Sequence, residues 1–306
     1  MKKEHRTAAR GALIRAFAEG RAPNFAEAEL ADWIKVADDM IVWGELDVAL
    51  HAVRCIREAW PNLAWGQNVA ELIARIPPVD PEAPPFSDDL SKAMNVIARD
   101  GADTAILVFG GGRDRVGMPP PMLHRWLSIP PASLIYLRDP LRLAYLGGVP
   151  DAGADMATTI ASLRTLIQEL GASRVICYGN SIGGYGALRY GLELGANAVF
   201  SMAGLVNLQG RFNAGLHYDE SAQRIEAAFP EAELDLRELY RSTKSPPATW
   251  IVYGEHNWDD RIHAEYMAGV DGITLTQIGG SKDHNVAAEL IRAGQFQAFL
   301  GQARTA

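Results

Sequence analysis

The stretch of the chain best suited to chemistry surrounds Ser181. An apolar run ends at Tyr178, the sequence Gly179-Asn180-Ser181-Ile182-Gly183-Gly184 follows, and alanine and leucine then recur at helical spacing. This pattern predicts a strand, a tight turn and a helix, with the serine hydroxyl at the apex of the turn. Gly-x-Ser-x-Gly is typical of a nucleophilic serine, because larger side chains flanking so sharp a turn would collide. The alternative is a glycine-rich turn whose serine only caps the helix.

A second glycine-rich loop could stabilise the negative charge that such a nucleophile creates. A predicted strand over residues 104–109 ends at Gly110-Gly111-Gly112. A tetrahedral oxyanion needs about two N–H donors, and we expect them from Ile182 and from Gly111 or a neighbour. We also expect Gly112 and Asn180 to border the substrate. The loop lacks the lysine and spacing of a phosphate-binding motif, and a merely flexible turn is the alternative.

A nucleophilic serine also needs a base, and His284 is the best placed of the seven histidines. It lies in a polar loop between the last predicted strand and the closing helix, and imidazole can accept and return a proton near neutral pH. A carboxylate should then orient the imidazole. Asp260, just after a predicted strand over residues 249–253, is the first choice, with Asp259 and Glu255 as alternatives. One of the two aspartates is expected to cap the helix that begins there.

These groups depend on strands and helices that alternate after residue 86. Short apolar strands separated by helices predict an α/β fold with a mostly parallel sheet flanked by helices, and functional groups of such sheets gather at the carboxyl ends of the strands. No antiparallel strand is expected before residue 104. The predicted strands cover residues 104–109, 133–137, 174–178, 196–201, 249–253 and 273–277, and the predicted helices cover 87–99, 152–170, 183–194 and 286–300.

An insertion over residues 202–247 is predicted to form a lid above the strand ends. It contains two amphipathic helix candidates, residues 219–229 and 234–242. Such insertions commonly shape a substrate pocket. Four aromatic side chains are candidates to line the pocket or to pack on the sheet: Tyr218, Phe229, Tyr240 and Trp258.

The first 76 residues are predicted to form a separate helical segment, because apolar residues recur at spacings of three and four. Residues 30–61 resemble one tetratricopeptide repeat on the positions of Trp33, Ala37, Gly44, Ala49 and Pro61. A helical hairpin docked on the main domain is the alternative, since one repeat cannot bury its own apolar face. These helices are also a candidate binding surface for a protein partner. Residues 77–86 are proline-rich and predict a linker before a domain of residues 87–306.

The overall composition excludes several classes of function. The chain has 306 residues, a net charge of −8 and a pI near 5.4, which argues against nucleic acid as a partner. Its only cysteines, Cys55 and Cys177, lie in apolar runs, so no disulfide is expected. No signal peptide or membrane span is predicted, which favours a cytoplasmic location. His256, Asp259, Asp260 and His263 match no metal-ligand spacing, and neither a metal nor an organic cofactor is expected.

From about residue 86 to residue 300 the chain resembles the α/β-hydrolase superfamily. The resemblance rests on the Ser181 turn, the glycine loop at residues 110–112, the acidic loop at 254–260 and the loop around His284. It implies a triad of Ser181, His284 and Asp260, and a serine esterase acting on a small-molecule or glycan ester or thioester through an acyl-serine. Acyl transfer to a glycan or another alcohol is one alternative, and a non-catalytic interaction scaffold is another. The family's usual acid position holds Asn257 here, and the expected sheet is a reduced one.

Overall fold

A computed structural model describes residues 11–21, 29–78, 80–89, 91–112 and 116–305. The chain divides into two compact units. One contains the residues up to 79 together with 119–126, and the other contains residues 80–118 and 127–306. The predicted boundaries at residues 76 and 86 stay a prediction.

The first unit is helical throughout its regular structure. Residues 11–18 are helical, and further helices span Leu30–Val42, Leu46–Ala59, Ala64–Ala74 and most of Pro120–Leu127. Trp33 is completely buried and meets Phe17 and Trp60 edge to face, with ring centroids 5.5 and 5.9 Å away. The prediction of an all-helical segment is confirmed for the described residues. Its parts at residues 8–10 and 22–28 lie outside them, and the tetratricopeptide resemblance stays a prediction.

The second unit is built on a seven-stranded sheet. Its order is β1-β3-β2-β4-β5-β6-β7, and β1 is antiparallel to β3 while the other neighbours run parallel. The predicted mostly parallel sheet is therefore confirmed. The strands are β1 Met94–Ile97, β2 Thr104–Phe109, β3 Ala132–Leu137, β4 Arg174–Asn180, β5 Ala198–Met202, β6 Ala248–Gly254 and β7 Ile273–Ile278.

Both faces of the central sheet are covered. Every residue of β3 and β5 is buried, as are five of six in β2, and successive side chains of a strand point to opposite faces. The edge strand β7 is only partly buried. The covering helices of this unit span Met156–Glu169, Ile182–Leu194, Gly210–Asn213, Asp219–Ala228, Leu236–Ser242, Trp258–Tyr266, Val286–Arg292 and Phe296–Gly301, and a 3₁₀ turn follows at Gln302–Thr305.

The predicted helix over residues 87–99 is wrong, and so is the expected absence of an early antiparallel strand. Ser91 donates from its backbone and hydroxyl to Asp89, which makes a local turn instead of a helix. The strand β1 then pairs with the outer edge of β3 and satisfies its backbone groups. A four-residue apolar run does not distinguish helix from strand, and only the free edge of β3 decides between them.

The closing helix predicted over residues 286–300 is two helices. Gly294 adopts a φ of +70° between them, a left-handed conformation that ends a helix and that glycine adopts without strain. Both cysteines are buried and free. Among the described residues, none of the helices combines the length and apolar character needed to cross a membrane.

Candidate active site

The turn after β4 holds Ser181 in a strained conformation. Its φ is +56° and its ψ is −126°, a region that side chains with a Cβ rarely occupy. A Cβ added to Gly179 would lie 2.0 Å from the carbonyl oxygen of Gly183, and one added to Gly183 would lie 2.3 Å from that of Phe109. The two glycines of the motif are therefore required by close backbone approach. The second contact also brings the start of the serine's helix against the end of β2.

His284 and Asp260 form a hydrogen-bonded pair. The Nδ1 atom of His284 lies 2.8 Å and 2.9 Å from the two carboxylate oxygens of Asp260. Asp260 is 4% exposed, and burial raises the pKa of its carboxyl while the bond to His284 opposes that effect. Desolvation acts to lower the pKa of His284, but the hydrogen bond and charge of Asp260 outweigh it and raise the pKa above 6.5. The carboxylate therefore stabilises the imidazolium that forms when Nε2 accepts a proton.

The other candidate acids have different partners. Asp259 accepts a hydrogen bond from the backbone N–H of His217 at 3.3 Å, and Glu255 accepts one from the N–H of Gly280 at 2.7 Å. The expectation that one aspartate caps the helix is wrong, because the side chain of Asn257 accepts from the N–H of Asp260 and caps it instead. Asn257 thus caps the helix, and the aspartate three residues later reaches the histidine.

A tyrosine hydroxyl lies between the serine and the histidine. The Tyr218 hydroxyl is 3.3 Å from Ser181 Oγ and 3.2 Å from His284 Nε2. Ser181 and His284 share no direct hydrogen bond. The sequence places Tyr218 only on the predicted lid, as one of several aromatic residues, and contains no signal that singles it out.

The glycine loop after β2 lies beside the serine's helix. A Cβ on Gly183 would lie 2.7 Å from the carbonyl oxygen of Gly110, and Gly111 is buried. The hydroxyl of Tyr145 lies 2.7 Å from the carbonyl oxygen of Gly110 and 2.9 Å from that of Leu137, and its single proton is shared between these two acceptors. This bond fixes the orientation of the Gly110 carbonyl, and the sequence does not single out Tyr145.

Tyr145 is itself held by a strained turn. Arg142, Ala144 and Tyr145 have φ values of +56°, +55° and +66°, which is uncommon for residues other than glycine. The Asp139 carboxylate stabilises this turn by accepting hydrogen bonds from the N–H groups of Leu143 and Tyr145 at 2.8 and 3.1 Å. The strain is thus offset by a buried carboxylate whose pKa burial raises.

The remaining predicted binding residues lie in the turn after β4, in the glycine loop after β2 and at the start of the helix that carries Asp260. Asn180 is 8% exposed, and its Oδ1 atom is buried with no hydrogen-bond partner among the described residues. Gly112 is exposed, and no heavy atom of the described residues lies within 4 Å of a Cβ added there. Trp258 begins the helix that carries Asp260 and is 68% exposed, so it offers an apolar surface to solvent.

No group of three potential metal-ligating side chains occurs in the part of the chain that the structure describes. Two residues of the cluster formed by His256, Asp259, Asp260 and His263 have other partners. Asp260 bonds His284, and the fully buried His263 accepts a hydrogen bond from the N–H of Val206 through Nδ1. Desolvation lowers the pKa of His263 to about 4. His263 is therefore a neutral side chain of the core.

Comparisons with known proteins give likenesses of structure alone. No family model and no curated protein matches the chain. Esterase B from Lactobacillus Rhamnosis superposes with a TM-score of 0.50 at 14% identity, over 84% of this chain and 94% of that one. An S-formylglutathione hydrolase from Agrobacterium tumefaciens gives 0.43 at 16% identity, over 70% and 93%. The capsule O-acetyltransferase of Neisseria meningitidis serogroup A gives 0.44 at 14%, over 69% and 91%. The chain has the α/β-hydrolase fold.

Proposed function

We propose that the chain is a serine hydrolase that cleaves a carboxylic ester or thioester through an acyl-serine intermediate. The observation that carries this proposal is the arrangement of three side chains at the carboxyl edge of the sheet. Ser181 stands at the strained apex after β4, and one hydroxyl separates it from the Nε2 atom of His284. The buried Asp260 binds the other nitrogen of that ring. A nucleophile, a base and an orienting acid are the parts that acyl transfer requires.

His284 is the proposed general base. Because Nδ1 lies within hydrogen-bond distance of the carboxylate, it carries the proton, and Nε2 is left with a free lone pair. The charge of Asp260 favours the imidazolium that forms when Nε2 accepts a proton. The same proton can then pass to the leaving group. Asp260 therefore fixes the tautomer and stabilises the cation.

The proposed oxyanion donors are the N–H groups of Ile182 and Gly111. Ile182 is the first residue of its helix, where N–H groups have no partner within the helix. The peptide that joins Gly110 to Gly111 is planar, so fixing the carbonyl also fixes the N–H that points the opposite way. The Tyr145 hydroxyl fixes that carbonyl. Two positioned donors can stabilise the tetrahedral intermediate by several kcal/mol.

The substrate is proposed to be a small-molecule ester, bordered by Gly112, Asn180 and Trp258 and covered by the inserted helices. Hydrolysis is the proposed fate of the acyl-serine, since water can attack once the leaving group departs. The proposed steps use side chains and backbone groups of the chain, with no cofactor. Transfer of the acyl group to an alcohol starts from the same intermediate, and product analysis distinguishes the two outcomes.

A fluorophosphonate probe and a p-nitrophenyl ester test the proposal. Wild type, Ser181→Ala, His284→Ala and the surface control Ser242→Ala are compared, and mass spectrometry locates the adduct. We expect labelling on Ser181, its loss in Ser181→Ala, and a fall of at least about a hundredfold in His284→Ala. The control, whose hydroxyl donates to the nearby carbonyl of Leu239, should label normally. An adduct on another residue, or ester cleavage by Ser181→Ala, would refute the proposal.

A further inference from the structure

Tyr218 occupies the place where a serine and its base usually meet. Its hydroxyl is within hydrogen-bond distance of both Ser181 Oγ and His284 Nε2, at 3.3 and 3.2 Å. The residue therefore either separates the two groups or connects them. The direction of the hydrogen bonds decides between these roles.

The pair of His284 and Asp260 sets that direction. Since Nδ1 donates to the carboxylate, Nε2 of the neutral ring can only accept, and the Tyr218 hydroxyl must donate to it. With its single proton used, the Tyr218 oxygen can only accept from Ser181 Oγ. All the hydrogen bonds then run from the serine towards the aspartate. This order is the one that moves a proton away from the nucleophile.

We infer that Tyr218 is a catalytic residue that relays the proton between Ser181 and His284, an inference that rests on the proposed function. As Oγ attacks the carbonyl carbon, the C=O π bond breaks and its electron pair moves to the carbonyl oxygen, while the O–H bond of Ser181 breaks and the proton passes to the Tyr218 oxygen. The proton that Tyr218 carried passes at the same time to Nε2, so that the phenol stays neutral and the imidazolium forms. When the tetrahedral intermediate collapses, the C=O bond re-forms and the bond from carbon to the leaving oxygen or sulfur breaks. Nε2 then returns its proton to Tyr218, and Tyr218 passes its own proton to the leaving atom. No co-reactant is needed.

The surroundings of Tyr218 suit a relay. Desolvation raises the pKa of the phenol to about 12, which keeps it protonated and able both to donate and to accept. The preceding residue, His217, is tied by its N–H to Asp259, which neighbours Asp260 in the same helix. The Tyr218 ring lies edge-on to buried His263, with centroids 6.4 Å apart. The hydroxyl is thus positioned from both sides.

Three variants test the relay with the fluorophosphonate probe and the p-nitrophenyl ester. Tyr218→Phe keeps the ring between the serine and the histidine but removes the hydroxyl, and we expect kcat to fall about a hundredfold or more with little change in KM. Tyr218→Ala leaves a space, so added phenol should restore part of the rate while toluene should not. Tyr253→Phe is the matched control, because the Tyr253 hydroxyl bonds Gln277 in the neighbouring strand. Thermal unfolding checks that each variant is folded.

The proton inventory of the wild type adds a readout that a structural role would not change. Rates in mixtures of H₂O and D₂O should depend on the deuterium fraction in a curved manner, because two protons move in one step, and the curvature should vanish in Tyr218→Phe. If Tyr218→Phe is as active as the wild type or faster, Tyr218 merely separates the two groups and the relay is refuted. If Tyr218→Phe is active and Ser181→Ala is inactive, the relay is refuted but the proposed serine hydrolase function is not. Activity in Ser181→Ala refutes both.

Discussion

Replacing Tyr145 with phenylalanine should slow acylation although the residue does not touch the serine. The hydroxyl of Tyr145 bonds the carbonyl oxygens of Gly110 and Leu137 from within the core. Its ring meets those of Phe109 and Tyr190 edge to face, with centroids 5.1 and 6.2 Å apart. Phenylalanine keeps this packing and removes only the hydrogen bonds. The variant therefore isolates the orientation of the peptide between Gly110 and Gly111.

The size of the effect follows from what each carbonyl retains. The Leu137 oxygen keeps the N–H of Gly110 at 2.9 Å, whereas the Gly110 oxygen loses its bond to the phenol. One buried carbonyl without that bond should reduce the free energy of unfolding by about 1–3 kcal/mol. Complete loss of an oxyanion donor costs about a hundredfold to a thousandfold in rate. Since Gly111 is still present but less well oriented, we expect kcat to fall about tenfold to a hundredfold with KM nearly unchanged.

The assay follows the rate of fluorophosphonate labelling and of p-nitrophenyl ester cleavage, with urea unfolding on the same samples. Tyr240→Phe is the matched control, because the Tyr240 hydroxyl is also buried but bonds Leu188 and Thr249 away from the serine. It should lose stability and keep its rate. If Tyr145→Phe loses stability and still labels at the rate of the wild type, Tyr145 does not orient the oxyanion donor, and that part of the reasoning fails.

Three further predictions concern protonation and backbone packing. The kcat/KM of ester cleavage should rise with pH through a pKa above 6.5, because the neutral form of His284 is the base and Asp260 raises its pKa. Asp260→Asn should lower both this pKa and the value of kcat/KM reached at high pH, and an unshifted pH profile would contradict the prediction. His263 has a folded-state pKa of about 4 against an ordinary 6.5, so the unfolded state binds more protons as the pH falls from 6.5 to 4. The free energy of unfolding should therefore drop by about 3 kcal/mol across that window. Urea unfolding should show a smaller drop for His263→Gln, and equal drops in the two proteins would refute the assignment. Gly179→Ala should abolish labelling and destabilise the fold by about 3 kcal/mol, because its Cβ would lie 2.0 Å from the carbonyl oxygen of Gly183. Gly301→Ala, where no heavy atom of the described residues lies within 4 Å of the added Cβ, should unfold like the wild type, and normal labelling of Gly179→Ala would contradict the prediction.

Residue types and their local spacing predict much of the fold. The glycines around Ser181 can be predicted because so tight a turn has no room for a side chain, and a Cβ added to Gly179 would lie 2.0 Å from the carbonyl oxygen of Gly183. The strands β2 to β6 are short, largely apolar runs, and such runs with helices between them favour a parallel sheet. The break at Gly294 and the strand β1 were missed, because each depends on a choice between conformations that a short stretch of sequence allows equally.

The arrangement of the site was decided by tertiary structure. The order of serine, acid and histidine along the chain limits the acid to Glu255, Asp259 or Asp260. The helix capped by Asn257 then places the Asp260 carboxylate 2.8 Å from Nδ1 of His284, and this placement depends on the folded structure. Tyr218 and Tyr145 carry no motif. Their hydroxyls reach Ser181 and Gly110 across separations of 37 and 35 residues, and contacts over such distances exist only once the chain has folded. Sequence spacing constrains neighbours within an element, whereas packing between elements decides which distant groups meet.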